Sequence, residues 1–348
     1  TEAFTRFGFS REDAAQITDV LLLADLYGTR SHGTQRLVRY HKSIENRAIH
    51  VEAKPEIVFE TPVSAVVEAN ECMGQAASVF GMRTAIEKAK KTGMAVVTVR
   101  NSNHYGIAGY YAKMACKEGL IGMSMTNSEA IMVPTFGKEA MLGTNPIAFS
   151  MPASPVPFTF DAATAVVPRG KLEVYVKRGN GLPLGWALDE NGHDSDDADR
   201  VLKNIIAKTG GGILPLGGSG EMTSGYKGYG FAMLCGICTA ILSGGTTSNY
   251  IYKTPGRSNI AQCFIAMDHG MFGDKAAIEA SLSKYLQEVR DSAKAEGQDR
   301  IYIHGEKEYE ARAGVLANGV YLNDKTYDEM KMIAEYTGST AYLPEYLD

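Results

Sequence analysis

The chain has 348 residues, of which 45% are hydrophobic and 22% are charged, and its formal net charge is -5. This composition is ordinary for a globular protein of about two domains, and it excludes a disordered chain, a collagen-like repeat and a coiled-coil rod. No cluster of Lys and Arg indicates a nucleic-acid partner, and the longest strongly apolar stretch, residues 231–242, is too short to span a membrane. The 5 cysteines and the absence of signal-peptide features favour a reducing compartment, the cytoplasm.

The N-terminal part of the chain is predicted to be helical. A capping box predicts a helix over residues 11–26, and a second helix is predicted over residues 35–46. Arg36 and Tyr40 lie one turn apart on the second helix, with His32 a further turn back. The three functional groups could therefore line one stripe.

The rest of the chain alternates predicted helices and strands. Helical periodicity over residues 75–91 and 108–117 is followed each time by a glycine and then by a strand, at 95–99 and 120–126. Further strand-like runs cover residues 145–151, 158–165 and 171–176. Because short turns separate several of these runs, we predict an α/β fold with a mixed sheet. The remaining predicted elements are helices at 201–208, 225–242 and 275–295, strands at 261–267 and 301–304, and two C-terminal helices.

Several familiar motifs are absent from the sequence. No G-x-G-x-x-G follows a predicted strand, and there is no P-loop, H-E-x-x-H or G-x-S-x-G. Cys235 and Cys238 have redox spacing but lie in an apolar helix, where core packing is the simpler interpretation. The acidic residues 194–199 lack the glycine and glutamate of a calcium loop. Classical nucleotide folds are disfavoured, and no metal site is expected.

Two histidines have surroundings typical of catalytic residues. His104 follows a predicted strand in a polar loop, and His32 lies between Ser31 and a glycine, one turn from Arg36. The guanidinium of Arg36 matches a carboxylate bidentately. Lys227, among glycines at a helix start, is the best local phosphate-binding candidate. The alternatives are a structural histidine, an exposed helix arginine and an ordinary helix cap.

Eight short blocks of the sequence carry a family resemblance. They are Ser31-His32-Gly33-x-x-Arg36-Leu37-x-x-Tyr40, Ser102-x-His104-Tyr105-Gly106-x-Ala108-Gly109-Tyr110, Thr126-Asn127-Ser128, Gly143-Thr144-Asn145-Pro146, Asp161-x-Ala163-Thr164, Gly185-Trp186-Ala187-x-Asp189-x-x-Gly192, Pro215-Leu216-Gly217-Gly218 and Gly225-Tyr226-Lys227-Gly228-Tyr229-Gly230. In this order they resemble the malate/L-lactate dehydrogenase family of the second type, over about residues 10–335. The family also includes sulfolactate and ureidoglycolate dehydrogenases and diketogulonate and piperideine-carboxylate reductases.

The resemblance implies an NAD(P)-dependent oxidoreductase with a non-Rossmann nucleotide-binding domain. It also implies a homodimer with its active site between domains. We expect a helical N-terminal part of the substrate and dimer domain (1–60) and a mixed α/β domain with the cofactor site (61–260). A C-terminal part (261–348) is expected to pack with the N-terminal segment as the helical second domain.

The resemblance also implies roles for individual residues. The acid/base role falls on His32 or His104. We expect substrate contacts from Ser31, Arg36, Tyr40 and Asn127. Cofactor contacts are expected from Ser128, Thr144, Asn145, Pro146, Asp161, Ala163, Thr164, Ala165, Arg169, Gly170, Tyr226, Lys227, Gly305, Glu306 and Lys307. NAD is the expected cofactor, and NADP stays open because Arg169 could meet a 2′-phosphate.

The predicted reaction is reversible hydride transfer between nicotinamide and a 2-hydroxy acid, with malate and oxaloacetate as the expected pair. An imidazole removes the hydroxyl proton while Arg36 holds the carboxylate. The two histidine rings are expected on opposite flanks of the bound nicotinamide. Lactate, sulfolactate, ureidoglycolate and diketogulonate remain alternative substrates. A nucleotide or metabolite sensor, and a thiol-redox or zinc protein built on Cys235 and Cys238, are the alternatives from other classes.

Overall fold

The computed structural model describes residues 1–343 of the chain, which form eleven α-helices and nine strands. The helices are α1 (Glu2–Arg6), α2 (Arg11–Leu26), α3 (Leu37–Glu45), α4 (Gly74–Thr92), α5 (Ala108–Lys117), α6 (Arg169–Arg178), α7 (Ala198–Ala207), α8 (Gly225–Gly236), α9 (Lys275–Asp291), α10 (Glu306–Asn318) and α11 (Asp324–Thr337). The strands are β1 (Glu56–Thr61), β2 (Ser64–Glu68), β3 (Met94–Ser102), β4 (Ile121–Thr126), β5 (Ile147–Met151), β6 (Phe158–Ala162), β7 (Ala187–Leu188), β8 (Gly212–Ile213) and β9 (Ile260–Met267).

Seven of the strands form one mixed sheet in the order β1-β2-β3-β9-β4-β5-β6. Its neighbours are antiparallel except for β2 and β3, which run parallel. The short strands β7 and β8 pair separately. The predicted α/β class with a mixed sheet is confirmed.

Strand β9 lies in the middle of the sheet, between β3 and β4, although it comes late in the chain. A boundary at residue 261 would therefore assign a central strand of the sheet to the C-terminal part. Strand β1 likewise pairs with β2, although it falls within the predicted helical segment 1–60. Both predicted boundaries are corrected by this pairing.

The main core forms where α4 and α5 pack on the sheet. Gly81 of α4 allows this approach, because a Cβ there would lie 2.8 Å from the ring of Phe264 on β9. Tyr105 and Tyr111 stack within the same cluster at 4.8 Å between ring centroids. Burial of such large aromatic rings holds the loop after β3 firmly against the sheet.

Two predicted strands are not formed. Residues 171–176 lie within α6, where Leu172 is buried in a second cluster with Val201 of α7, Tyr175 packs beside that cluster, and Gly179 ends the helix in the left-handed conformation. The spacing of Leu172 and Tyr175 is helical, so the strand prediction mistook the period. Residues 301–304 form no ladder and are tied to β6 by one bond, from Thr159 N to His304 O at 3.2 Å.

The helices of the two chain ends pack against each other. Arg6 of α1 donates to the backbone oxygen of Thr337 at the end of α11, at 2.9 Å. His41 of α3 lies between Phe7 and Tyr336, with ring centroids 5.0 and 4.6 Å away. Within residues 1–343, no helix combines the length and apolarity required to cross a bilayer.

Candidate active site

His32 and His104 lie side by side, although 71 residues separate them along the chain. Their ring centroids are 5.5 Å apart and their planes are inclined by 24°. This spacing is that of two rings in direct contact. The expected convergence is therefore observed. Because the two rings are in contact, this conformation has no space for a nicotinamide ring between them, and the expected position of the coenzyme with a histidine on each flank stays a prediction.

His104 is held by a chain of hydrogen bonds from α3 and α4. Its Nδ1 lies 2.8 Å from the hydroxyl of Tyr40, which in turn accepts from Nε2 of Gln75 at 3.0 Å. Burial and the nearby Arg39, His32 and Arg36 hold the pKa of His104 well below its usual range. The ring is therefore neutral at pH 7.

Tyr40 is a support for His104 and not a surface that meets substrate. Its side chain is 1% exposed, and burial raises the pKa of its hydroxyl to about 12. It therefore remains a phenol at every working pH. The expected substrate contact of Tyr40 is corrected by this burial.

The loop that carries His32 consists of two 3-10 turns, Arg30–His32 and Thr34–Arg36. Ser31 Oγ lies 2.9 Å from Nδ1 of His32. The side chain of Ser31 is thus engaged with the histidine. Burial, followed by the charges of Arg36 and Arg39, lowers the pKa of His32 to about 4.

A buried carboxylate fixes this loop. Asp25, near the end of α2, accepts from the backbone N–H of Thr34 at 2.9 Å and is 4% exposed. Gly33 is required at its position because a Cβ would collide with the Asp25 carboxylate. Arg36 then reaches back and donates from Nε to the backbone oxygen of Ser31. The loop conformation therefore depends on Asp25 and Gly33 together.

Two guanidinium groups influence both histidines. Arg36 and Arg39 each lower the pKa of both rings. Arg39 is oriented by a hydrogen bond of 3.1 Å from its guanidinium to the hydroxyl of Tyr252. Arg30 is turned elsewhere, since its guanidinium lies 4.6 Å above the ring of Tyr321. The site therefore offers two cations for anionic groups of a ligand.

A cleft of about 430 Å³ begins at His32 and runs between the sheet and α10. The expected cofactor residues that line it are Thr144, Pro146, Asp161, Ala163, Gly305 and Lys307. Asp161 faces into the cleft, accepts the backbone N–H of Gly109 at 2.7 Å, and has its pKa raised to about 6 by the surrounding protein.

Lys113 adds a second amine to the cleft. Its Nζ lies 4.5 Å from the ring centroids of both Tyr27 and Tyr309. Burial lowers the pKa of Lys113 to about 8. The carboxylate oxygens of Asp161 can accept hydrogen bonds from ribose hydroxyls, and the amines of Lys113 and Lys307 can neutralise a diphosphate. The lining of the cleft therefore fits a nicotinamide dinucleotide.

Asn127 and Asn145 hold the backbone and do not line the cleft. Asn127 is 1% exposed, accepts from Ala261 N at 2.8 Å and donates to Thr246 O at 2.8 Å. Asn145 donates to Ala232 O at 3.0 Å and accepts from Ser128 N at 3.2 Å. In both side chains the amide nitrogen and the amide oxygen are hydrogen-bonded to backbone groups. This corrects the expected substrate contact of Asn127 and the expected cofactor contact of Asn145.

The carboxylate of Glu306 is likewise hydrogen-bonded within the protein. Its carboxylate accepts from Arg290 at 2.6 Å, from Arg300 at 3.2 Å and from the backbone N–H of Ile303 at 3.0 Å. These bonds lock the start of α10, so Gly305 and Lys307 on either side are placed in the cleft wall. The expected cofactor contact of Glu306 is corrected accordingly.

The other expected cofactor residues do not line the cleft of this single chain. They are Ser128, Thr164, Ala165, Arg169, Gly170, Tyr226 and Lys227. Ala165 is buried in the core, and Ser128 accepts from Thr144 N at 3.1 Å. Arg169 pairs with Glu173 at 3.1 Å on the surface.

Gln75, Asp25 and Tyr252 were not among the site residues predicted from the sequence. Gln75 and Tyr252 lie far along the chain from both histidines, Asp25 precedes His32 in the neighbouring helix α2, and none of the three belongs to a motif. The available signal was Gly74, where a Cβ would collide with the backbone oxygens of Asn103 and His104. A glycine at a helix start indicated a close approach, but not the identity of the approaching loop.

The cysteines of residues 1–343 lie mostly in the protein interior. All 5 are free thiols, and no group of potential metal ligands occurs in this part of the chain. Cys235 is fully buried, donates to Thr126 O at 3.3 Å, and has its pKa raised by burial. The pair Cys235 and Cys238 therefore packs the core, as the simpler interpretation of its spacing predicted.

Comparisons with known proteins agree with this geometry. The sequence matches the malate/L-lactate dehydrogenase family over residues 1–331. It is 43% identical over 335 residues to malate dehydrogenase of Pyrococcus abyssi, covering 96% of this chain and 91% of that protein. It is 34% identical to L-sulfolactate dehydrogenase of Methanocaldococcus jannaschii, covering 97% and 94%. The crystal structure of malate dehydrogenase from Entamoeba histolytica matches with a TM-score of 0.94 at 35% identity, covering 99% of this chain and 96% of that one.

These matches extend over nearly the whole length of each relative, so they concern the complete fold and not a shared fragment. The predicted family is confirmed, and so is the predicted oxidoreductase activity on a 2-hydroxy acid. A nicotinamide cofactor follows from that class of reaction. The chain belongs to the malate/L-lactate dehydrogenase family.

Proposed function

We propose that the protein is an NAD-dependent malate dehydrogenase that interconverts malate and oxaloacetate. The observation that carries this proposal is a cluster of two neutral imidazoles and two guanidiniums, of which His32 lines the cleft and His104 lies against His32. The imidazoles can move a proton at the carbinol oxygen, and the guanidiniums can hold carboxylates. The relatives named malate dehydrogenase, at 43% and 35% identity, support the same substrate.

The bound nicotinamide supplies the hydride acceptor or donor. His104 is the proposed base, because its ring is fixed by Tyr40 and is neutral at pH 7. In oxidation it takes the hydroxyl proton of malate, and in reduction the protonated ring returns it to the oxygen of oxaloacetate. A bound dicarboxylate raises the pKa of His104 towards neutrality, because opposite charge favours the imidazolium. His32 lies against His104 and orients the carbinol oxygen.

Two carboxylates distinguish malate from lactate, and two guanidiniums are available for them. Arg36 is the proposed partner of the carboxylate next to the carbinol carbon. Arg39, oriented by Tyr252, is the proposed partner of the second carboxylate. Arg30 is less suited, since it is engaged with Tyr321. This arrangement favours malate over monocarboxylic 2-hydroxy acids.

Asp161 supports NAD in preference to NADP. A carboxylate in the cleft accepts the hydroxyls of a ribose and repels a 2′-phosphate. Arg169, the residue that could have met such a phosphate, is paired with Glu173. The preference follows from the charge of Asp161 in its ionised form.

A homodimer in the cytoplasm completes the proposal. Phe231, Leu234 and Ile237, on α8 and the turn after it, are 55, 51 and 47% exposed, and such an apolar surface is typical of a subunit interface. The free thiols suit a reducing compartment. Light scattering on the purified protein should give twice the chain mass, and Leu234→Asp should shift it towards the monomer.

The proposal is tested by initial rates with NADH and NADPH over oxaloacetate, pyruvate, sulfopyruvate and diketogulonate. We expect the highest kcat/KM for oxaloacetate with NADH. Arg39→Gln should then lower kcat/KM for oxaloacetate by about tenfold, the loss of one charge-assisted bond, and leave pyruvate within about twofold. A preference for another keto acid, or equal losses on both substrates, would contradict the malate assignment.

A further inference from the structure

Gln75 is a buried amide with one unused end. It lies in the first turn of α4 and is 0% exposed. Its Nε2 donates to the Tyr40 hydroxyl at 3.0 Å, whereas its Oε1 has no hydrogen-bond partner. An unsatisfied buried acceptor has a free-energy cost, so its retention beside an active-site histidine requires an explanation.

The hydrogen bonds determine where the proton of neutral His104 lies. The oxygen of Tyr40 accepts from Gln75, so the Tyr40 hydroxyl is free to donate to Nδ1 of His104 at 2.8 Å. The backbone N–H of Gly106 also points at Nδ1, at 3.4 Å, and a backbone N–H can only donate. In this arrangement Nδ1 is an acceptor, and the ring carries its proton on Nε2.

A second arrangement uses the same atoms. If the amide of Gln75 turns by 180°, its Oε1 faces Tyr40 and accepts a hydrogen bond from the phenolic hydroxyl. The oxygen of Tyr40 can then accept from Nδ1–H of His104, and Nε2 becomes the unprotonated nitrogen. The turn gives Oε1 a partner, but it puts the amide NH2 where Oε1 now lies without one, and it gives up the contact of the Gly106 N–H with Nδ1. The two arrangements therefore exchange one unsatisfied group for another. The phenol cannot ionise instead, because Tyr40 is fully enclosed.

We propose that Gln75 is a positioning residue that sets, through the Tyr40 hydroxyl, which ring nitrogen of His104 carries the proton. With the amide nitrogen towards Tyr40, His104 presents Nε2–H as a donor. With the amide oxygen towards Tyr40, it presents an Nε2 lone pair as an acceptor and also tolerates the doubly protonated ring. A single buried amide thereby serves both directions of a reversible reaction without placing a charge in the core.

Because the surroundings of His104 are positively charged, an uncharged pair such as Gln75 and Tyr40 is suited to control its proton. His32 stacks on it from the 3-10 loop, and Arg36 and Arg39 act on it from the start of α3. All three groups oppose a positive charge on the ring. No carboxylate hydrogen-bonds to His104 among residues 1–343, so hydrogen-bond direction is the means left to control its proton.

The test reads the ring nitrogens directly and requires neither cofactor nor turnover. Nitrogen-15 NMR of the full chain at pH 8 distinguishes a protonated from an unprotonated ring nitrogen. Gln75→Met removes the amide, so Tyr40 can donate only to Nδ1, and His104 should show Nε2–H alone. In its ionised form the carboxylate of Gln75→Glu offers only acceptors, so the ring should then shift towards Nδ1–H. Both effects should vanish when Tyr40→Phe is added.

A stability control separates positioning from packing. Thr98→Val on β3 removes another buried polar atom without a partner, at a residue 4% exposed, and should leave the ring signals of His104 unchanged. In turnover, Gln75→Met should lower kcat by about 10- to 100-fold with little change in KM, as for other outer partners of histidine. That kinetic result alone rests on the proposed function.

Ring signals of His104 that are the same in wild type, Gln75→Met and Gln75→Glu would overturn the proposal, whatever the activity. So would shifts that persist unchanged in the Tyr40→Phe background. If Gln75→Glu does not fold, Gln75→Met with and without Tyr40→Phe still decides the matter. Normal ring behaviour combined with no oxaloacetate reduction in wild type would instead contradict the proposed function.

Discussion

The two histidines meet in space, but the segments that carry them are held very differently. The loop after β3 is tied down by Asn103, which donates to Ala48 O at 2.9 Å and accepts from Ser258 within a buried network. The 3-10 loop around His32 depends on one buried carboxylate, Asp25, and its Ser31 is exposed. We call the loop after β3 the rigid loop, and the 3-10 loop around His32, which fewer hydrogen bonds hold, the lighter loop. Under the proposed function, the rigid loop suits proton transfer, which requires fixed geometry, and the lighter loop suits admission of the substrate.

Removal of the imidazole from the rigid loop should have the largest effect. His104→Gln retains size and polarity but cannot take up a proton at neutral pH. We expect kcat for oxaloacetate reduction to fall by about 100-fold or more, the usual contribution of a general acid–base. Steady-state kinetics with NADH check this, and KM should change little. A variant that retained its kcat would move proton transfer to the other loop.

The lighter loop should respond mainly in binding. Arg36→Gln removes the proposed partner of the substrate carboxylate, with an expected loss of about 2 kcal/mol, roughly a 30-fold rise in KM. The measurement is KM for oxaloacetate and for pyruvate, since both carry the same carboxylate. Arg178→Gln, at the exposed end of α6, is the matched control and should change neither value.

The dependence of the lighter loop on Asp25 can be tested by steric rescue. Gly33→Ala places a methyl group against the Asp25 carboxylate, so we expect a loss of stability of about 1–3 kcal/mol and weaker substrate binding. Adding Asp25→Ala makes room for the methyl group and should recover part of the stability. Thermal unfolding of the single and double variants measures both effects. Strictly additive losses would show that the two residues do not oppose each other.

The smallest expected effect is on the pH dependence of stability. The pKa of His32 is about 4 in the folded protein and 6.5 in an ordinary setting. The unfolded chain therefore binds the extra proton first, and His32 destabilises the fold as the pH falls from about 6.5 towards 4. His32→Asn should gain melting temperature relative to wild type over that interval. The raised pKa of Asp161 has the opposite effect, because the folded chain binds that proton first and gains stability as the pH falls. This contribution is the same in wild type and His32→Asn, so it cancels in the comparison.

Exposed His193 provides the matched control for this measurement, since its side chain is 81% exposed. His193→Asn should follow the wild-type melting temperature throughout the interval. A pH-independent difference between His32→Asn and wild type would contradict the buried, neutral state of His32.

Much of the fold followed from local patterns. The helices that became α2, α4 and α5 and the strands that became β3, β4 and β9 were predicted from periodicity and glycine stops. The strand prediction at 171–176 failed because a short apolar alternation also fits one side of a charged helix. The order of strands in the sheet could not be predicted, since pairing depends on packing between distant segments.

The candidate site was predictable where a side chain belongs to a recognisable sequence motif. The juxtaposition of His32 and His104 fits that rule. Asn127 shows the limit, because a polar residue at a strand end can equally well satisfy backbone groups. Gln75 and Asp25 support the motif residues from outside, and a single sequence carries no pattern for such partners.

The central position of β9 has a consequence for synthesis of the chain. Until residue 267 has left the ribosome, β3 and β4 have no shared neighbour, and each presents an unpaired edge. The carbonyl of Asn103, next to His104, also waits for the side chain of Gln262. A nascent chain stopped before β9 therefore has two open half-sheets, and it is at this stage that we expect the protein to depend most on chaperones.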